Sequence, residues 1–318
     1  MAKYRKDLPQ LKGGDFITDG GMETTFVFHR GIDLPHFAAF PLLDSSSGRE
    51  EIIRYLEPYI AVAHARGVGF ILDTPTWRSN PDWGPKLGYD DDALDALNHR
   101  AIAFAEACRR RWERPATPIV INGVIGPRGD AYKPGRASAL EAMSYHAAQV
   151  RAFARSAADM VSAMTINTVE EATGIAWAAK AEAMPCVISF TVETDGRLLA
   201  GPTLKEAIER TDEATDASPV YYMVNCAHPT HFEEALKKDE AWVSRIRGVR
   251  ANASTKSHAE LDESTTLDIG DPADLGRRYS LLRTSYPGIS VLGGCCGTDH
   301  RHIGAICDAC VPEPALAG

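Results

Sequence analysis

The chain reads as a single parallel (β/α)8 barrel, and three observations predict it. Eight apolar, β-rich runs recur along the sequence, each followed by a loop and then a segment of helical period. The runs do not alternate apolar with polar residues, which suits strands covered on both faces of a parallel sheet. The 318 residues are enough for one such barrel, commonly about 250 residues as a single domain. No low-complexity linker divides them, so 1–318 is read as one domain, with an open doubly wound sheet as the runner-up.

The strands are predicted, in order, at 15–18, 68–73, 118–122, 159–163, 186–190, 220–225, 246–251 and 288–292. Between them, helices are predicted at 50–66, 92–112, 138–156, 169–183, 204–211, 231–238, 272–285 and 301–309. The helix over 92–112 illustrates the reasoning: Leu94, Leu97, Ala101, Phe104 and Cys108 fall at spacings of three and four, a stripe that faces a core. In the last helix Ile303, Ile306, Cys307 and Cys310 share one apolar face, so the C-x-x-C spacing there is read as packing. Cys108 and Cys186 are assigned to the core as well.

Composition narrows the function classes. Hydrophobic content of 44% and charged content of 24% are those of an ordinary globular enzyme. A formal net charge of −9 argues against nucleic acid or an anionic membrane as partner, and the run Arg109-Arg110-Arg111 is read as a solvated helix end. The first residues lack the apolar region of a signal peptide and no run of about 18 apolar residues occurs, so a cytoplasmic location is the expectation. With seven cysteines, an odd number, and no export signal, a disulfide framework is not expected and metal or redox roles gain weight.

In a barrel, active sites lie where strands end and the following loops begin, and the polar anomalies of this sequence lie there. Asp19-Gly20-Gly21 follows strand one, Asp73-Thr74 strand two, Asn122-Gly123 strand three, Asn225-Cys226 strand six, Asn252 strand seven and Gly293-Gly294-Cys295-Cys296 strand eight. Adjacent cysteines strain the ring that a disulfide between them would close. Two thiolates aimed at one soft metal fit better, and the flanking glycines let the backbone turn both sulfurs to one point. Cys226 is the best candidate for a third ligand, with His228 and His231 as alternatives that are read instead as surface residues at a helix start. Three thiolates would leave Zn2+ at −1, a poor activator of water but a good holder of a substrate thiol. Alkyl transfer to sulfur from a donor with a good leaving group, such as a sulfonium, is the natural reaction class. His258-Ala259-Glu260 mimics half of a zinc-deaminase signature, but the paired cysteines are adjacent, not spaced C-x-x-C, so that chemistry is set aside.

These motifs, with Gly123-Val124-Ile125-Gly126-Pro127, Ile188-Ser189-Phe190, Gly196-Arg197-Leu198 and His302-Ile303, resemble those of the homocysteine S-methyltransferase family over nearly the whole chain. The resemblance implies zinc held by Cys226, Cys295 and Cys296. It also implies an acceptor amino acid gripped by Asp19 and loop amides, in a pocket shaped by Asp19, Gly20, Gly21, Phe37 and Thr74. Asn225 either orients substrate or satisfies loop backbone. The chain departs from the family in three places. Met164-Thr165 stands where a Glu-Thr pair is usual after strand four, Phe37 replaces a Trp, and Thr24-Thr25 stand where an acidic residue is expected. No cobalamin or folate module follows, and the chain ends soon after the eighth helix, over 311–318, so a sulfonium donor of the S-methylmethionine kind is favoured over an ammonium donor such as betaine. The partners expected are therefore a small-molecule thiol and a methyl donor, with a homo-oligomer left open. Two other readings compete: a zinc- or thiol-binding barrel without turnover, motivated by Met164, and a redox switch using the adjacent cysteines.

Overall fold

In the computed structural model of the chain, which describes residues 1–133 and 135–312, eight strands pair in parallel, each with its sequence neighbours, and the first closes on the last. They are β1 (Phe16–Ile17), β2 (Gly69–Asp73), β3 (Ile119–Ile125), β4 (Met160–Ile166), β5 (Cys186–Phe190), β6 (Tyr221–Asn225), β7 (Ile246–Ala251) and β8 (Val291–Gly294). β1 is two residues long yet carries the closure: Phe16 registers with Gly69 and Val291, Ile17 with Phe70 and Leu292.

Parallel neighbours cannot be joined by a tight turn, and the connections here are mostly helical. α1 (Ser46–Arg66), α2 (Asp91–Trp112), α3 (Ala139–Ala154), α4 (Val169–Ala181), α5 (Leu204–Thr215), α6 (Pro272–Ser285) and α7 (His300–Cys310) ring the barrel. Each begins at a residue that caps it: Ser45, Asp90, Ser138, Thr168, Thr203, Asp271 and Asp299 accept a backbone N–H of the first turn through their side chains.

Alternation along the strands makes two apolar layers. Phe16, Ile71, Val120, Met160, Val187, Met223 and Val291 fill the interior, floored by Leu8 of the N-terminal segment, while Ile17, Phe70, Leu72, Ile121, Val161, Ile188, Val249 and Leu292 pack outward against the helices. Cys108, Cys186 and Cys307 are buried in packing, as expected. Among the described residues no helix is long and apolar enough to cross a membrane.

Several expectations need correction. β3 runs past Asn122-Gly123 to Ile125 because Gly123 still registers with Val161, and β4 runs through Met164 and Thr165, so these residues lie in strands and not in loops. β8 begins and ends later than predicted, since Gly293 and Gly294 continue to pair with Arg250 and Ala251. No α-helix forms over 231–238. Pro229 and the cap at His228, whose side chain accepts from the Thr230 N–H, turn the chain into the 3-10 turns Pro229–His231 and Glu233–Ala235. His228 is accordingly buried and not on the surface. Arg109 is no solvated helix end either: it is buried and donates to Asp159 at 2.6 Å. The tail residues 313–318 lie outside the described chain.

Candidate active site at the barrel mouth

β6 delivers Cys226 to the mouth in a left-handed conformation (φ 54°), a setting that L-residues seldom adopt. Three bonds hold it. Its N–H donates to the Arg250 carbonyl (3.1 Å), and its carbonyl accepts from Asn252 Nδ2 (3.0 Å) and lies 2.5 Å from His258 Nε2. His258, on the short helix His258–Asp262, also meets Glu193 through Nδ1 at 2.9 Å and packs at a tilt against the Tyr132 ring. β8 ends one residue before Cys295, whose N–H donates to the Ala251 carbonyl at 2.8 Å. Gly297 then turns at φ 79° into α7.

The Cys226, Cys295 and Cys296 sulfurs all lie within 4.8 Å of one another. Cys226 and Cys295 are joined as a disulfide, their Cα atoms 5.3 Å apart, and Cys296 is free. No disulfide framework was expected, and this single bridge comes from the ends of β6 and β8, the two strands that flank β7, and not from the adjacent cysteines. Neither His228 nor His231 joins the sulfur group.

The loop after β1 is packed against the cysteine loop. A Cβ on Gly21 would stand 2.7 Å from the Cys295 carbonyl oxygen and 3.2 Å from the Cys296 Cα, so only glycine fits. Backbone bonds stitch the two loops, Gly21 N–H to Thr298 O and Gly294 N–H to Asp19 O, both at 3.0 Å.

Asp19 is less free than expected. One carboxylate oxygen accepts from Arg250 Nη2 at 2.5 Å and the other from Tyr55 Oη at 3.1 Å. Arg250 also pairs with Asp73, which in turn accepts from Asn122 Nδ2 at 2.7 Å. Two buried carboxylates thus share one guanidinium. Burial pushes the Asp19 carboxyl up to about 7, against the opposing pull of Arg250. Burial, reinforced by Glu23, pushes the free Cys296 thiol up to about 12.

A cavity of about 650 Å³ opens above these groups, within the range of small-molecule sites. All nine residues singled out from the sequence line it: Asp19, Gly20, Gly21, Phe37, Thr74, Asn225, Cys226, Cys295 and Cys296. Two of them are occupied with the scaffold. The Thr74 hydroxyl meets Thr76 Oγ1 at 2.7 Å and accepts from the Val124 N–H at 3.0 Å. Asn225 accepts from the Thr165 N–H (2.9 Å) and Ser189 Oγ (2.7 Å) and donates to Thr165 Oγ1 (2.8 Å), bracing Thr165 at φ 62°. Sequence reasoning missed Glu23, Trp77, Arg78, Trp83 and Tyr132, which also line the cavity. Glu23 lay open to notice, as the acidic residue between Met22 and Thr24 in the first loop; the aromatic residues come from long loops whose approach no periodicity announces.

Three comparisons bear on this geometry. A family profile described as homocysteine S-methyltransferase matches residues 16–310. A relative from Arabidopsis thaliana, homocysteine S-methyltransferase 2, is 23% identical, the match covering 95% of this chain and 94% of the relative. Among solved structures, the homocysteine methyltransferase MmuM of Escherichia coli superposes in an oxidised form with a TM-score of 0.75 at 19% identity, covering 96% of this chain and 99% of that one. Its metallated form gives 0.71 at 20%, covering 93% and 96%. The likeness establishes a shared fold.

Proposed function

The chain belongs to the homocysteine S-methyltransferase family, matched from residue 16 to residue 310, and from that premise we propose that it methylates the thiol of homocysteine at a zinc ion held by Cys226, Cys295 and Cys296, using a small sulfonium donor of the S-methylmethionine kind. The observation that carries this reading is the convergence of three sulfurs within 4.8 Å at the wall of one cavity. The donor set, three sulfurs at one point, suits a soft cation. Zinc bound there supplies one thing, a lowered pKa for a thiol entering the fourth position.

The remaining work falls to the chain. The acceptor sulfur forms a bond to the donor's methyl carbon as the donor's S–CH3 bond breaks; the electron pair leaves on the donor sulfur as a neutral thioether, and the thiol proton passes to solvent. Such a displacement needs in-line alignment more than acid or base catalysis, and the pocket provides rigid walls. Asn225 fixes the Thr165 bend beside Cys226, and His258 and Asn252 fix the Cys226 carbonyl. Trp77, Phe37 and Tyr132 line the approach, and their ring faces suit a sulfonium cation.

The test is zinc content and sulfur coordination, read by X-ray absorption on protein purified under reducing conditions. The reading expects about one zinc per chain and one added sulfur ligand on addition of homocysteine. Cys296→Ala should lose both zinc and methyl transfer, and a variant that keeps them would overturn the assignment. A second reading has an observation of its own, the Cys226–Cys295 disulfide. If the reduced protein holds no zinc and its thiol count changes reversibly by two, redox switching through that pair replaces metal-assisted transfer.

A further inference from the structure

We propose that Glu23 is the specificity-determining carboxylate of this site, taking the ammonium of an amino-acid acceptor whose sulfur lies at the three cysteines. The inference deepens the reading above and rests on it for the identity of the acceptor class. An amino-acid thiol brings a cationic ammonium into a half-closed cavity, and such a cation needs a carboxylate or carbonyl in place of its lost water. Of the two strand-four residues that line the cavity, Met164 offers no such group in its side chain and the Thr165 hydroxyl is engaged by Asn225.

The acidic residues of the lining can be taken in turn. Asp19 and Asp73 share Arg250. Asp130 accepts from the Tyr132 N–H and pairs with Lys133. Asp268 accepts from Ser254 Oγ and the Gly270 N–H, and Asp262 is exposed at the outer rim. Glu23 differs from all of these. Among the described residues its carboxylate makes no hydrogen bond or ion pair with another residue, although it is partly withdrawn from solvent and lines the cavity.

Its backbone is fixed. Glu23 sits in the helical turn Met22–Thr24, which runs into the wider π-turn Thr25–His29, a form of helix that recurs at functional sites. Thr24 on its C-terminal side is tied to both loops, Oγ1 donating to the Gly21 carbonyl (3.1 Å) and accepting from the Gly297 N–H (3.3 Å). The carboxylate and Cys296 line the same cavity. Arg78 attracts Glu23 without pairing with it. Its guanidinium is drawn aside, over the Trp83 ring at 4.0 Å and onto the His36 carbonyl, and forms no ion pair with Glu23. The gap between Glu23 and the sulfurs is where the ammonium of a short amino-acid thiol belongs.

The experiment uses ligands that lack a thiol, so that it does not depend on metal or turnover. Calorimetry on the full-length reduced protein compares L-methionine with 4-(methylthio)butanoate, the same molecule without its ammonium. Methionine should bind the wild type more tightly than this analogue. Glu23→Gln should weaken methionine roughly 10- to 100-fold, the worth of one charge-assisted hydrogen bond, with the analogue moving less than about twofold and Glu23→Asp recovering part of the loss. In turnover, the same variant should raise the KM for homocysteine far more than it changes kcat. Methionine affinity that ignores Glu23→Gln would overturn the inference and leave methyl transfer standing. Transfer that fails while methionine still depends on Glu23 would overturn the function and leave an amino-acid site. Should Glu23→Gln fail to fold, equal wild-type affinity for methionine and its analogue would count against the proposal.

Discussion

The charge balance of the mouth turns on Arg250, a buried cation facing two buried carboxylates. Arg250→Met removes the shared partner and leaves Asp19 and Asp73 facing each other out of water, a loss of about 3–5 kcal/mol for a broken buried pair. The pH dependence has a definite sign. A carboxyl whose native pKa is raised, as burial raises Asp19, is most compatible with the fold below its unfolded value, and stability is lost as pH rises through the native value. Without Arg250 the rise is larger. The variant's deficit should therefore be greatest above pH 7 and shrink toward pH 5, as urea melts at several pH values would reveal. None of this was visible in the sequence, where Asp19 read as a substrate ligand and Arg250 as one more strand residue. A residue's neighbours across a barrel are fixed by closure, which brings position 250 against positions 19 and 73, and local pattern carries no trace of that. The cysteines were legible because their chemistry is rare and concentrated; Glu23, a common residue, was passed over although it stands two residues after the Asp19-Gly20-Gly21 motif.

Among the elements, α7 couples helix formation to the site. Asp299 caps it and is bound by the Arg301 N–H at 2.9 Å and by the Arg301 guanidinium at 2.6 Å. Burial alone would raise the Asp299 carboxyl, but the bonds from His302 and Arg301 outweigh it and hold the group far below the usual carboxylate range. The sign is opposite to that of Asp19: this stabilisation is complete above the unfolded carboxylate pKa and fades as pH falls below it. Asp299→Ala should cost about 1 kcal/mol at neutral pH, and chemical denaturation should find the difference shrinking below about pH 4. Elements of this kind were largely readable. β5, β7 and α6 begin and end where apolar period and caps place them. The failures have physical causes. Gly293 and Gly294 carry no side chain to mark them as strand, yet their backbones pair with β7, and the apparent helix over 231–238 has its carbonyl and amide pattern broken by a 3-10 start at Pro229.

At the scale of the molecule, the sulfur group ties β6 to β8 across the last quarter of the barrel. A metal that binds only the folded form stabilises by mass action, so chelation of the reduced, zinc-loaded protein should lower its melting temperature. Each kcal/mol lost corresponds to roughly 2–4 °C or less at this size, and scanning fluorimetry with and without chelator measures it; an unchanged melt under reducing conditions would mean that no structural benefit comes from the metal. The stitching of the first loop to the last has a consequence in time. The loop that carries Glu23 is synthesised well before Cys295 and Cys296, and Gly21 and Asp19 meet their partners only through Thr298 and Gly294. On the ribosome, then, the first loop waits for its partners until β8 has emerged, and the cavity is completed in the same step that closes the barrel.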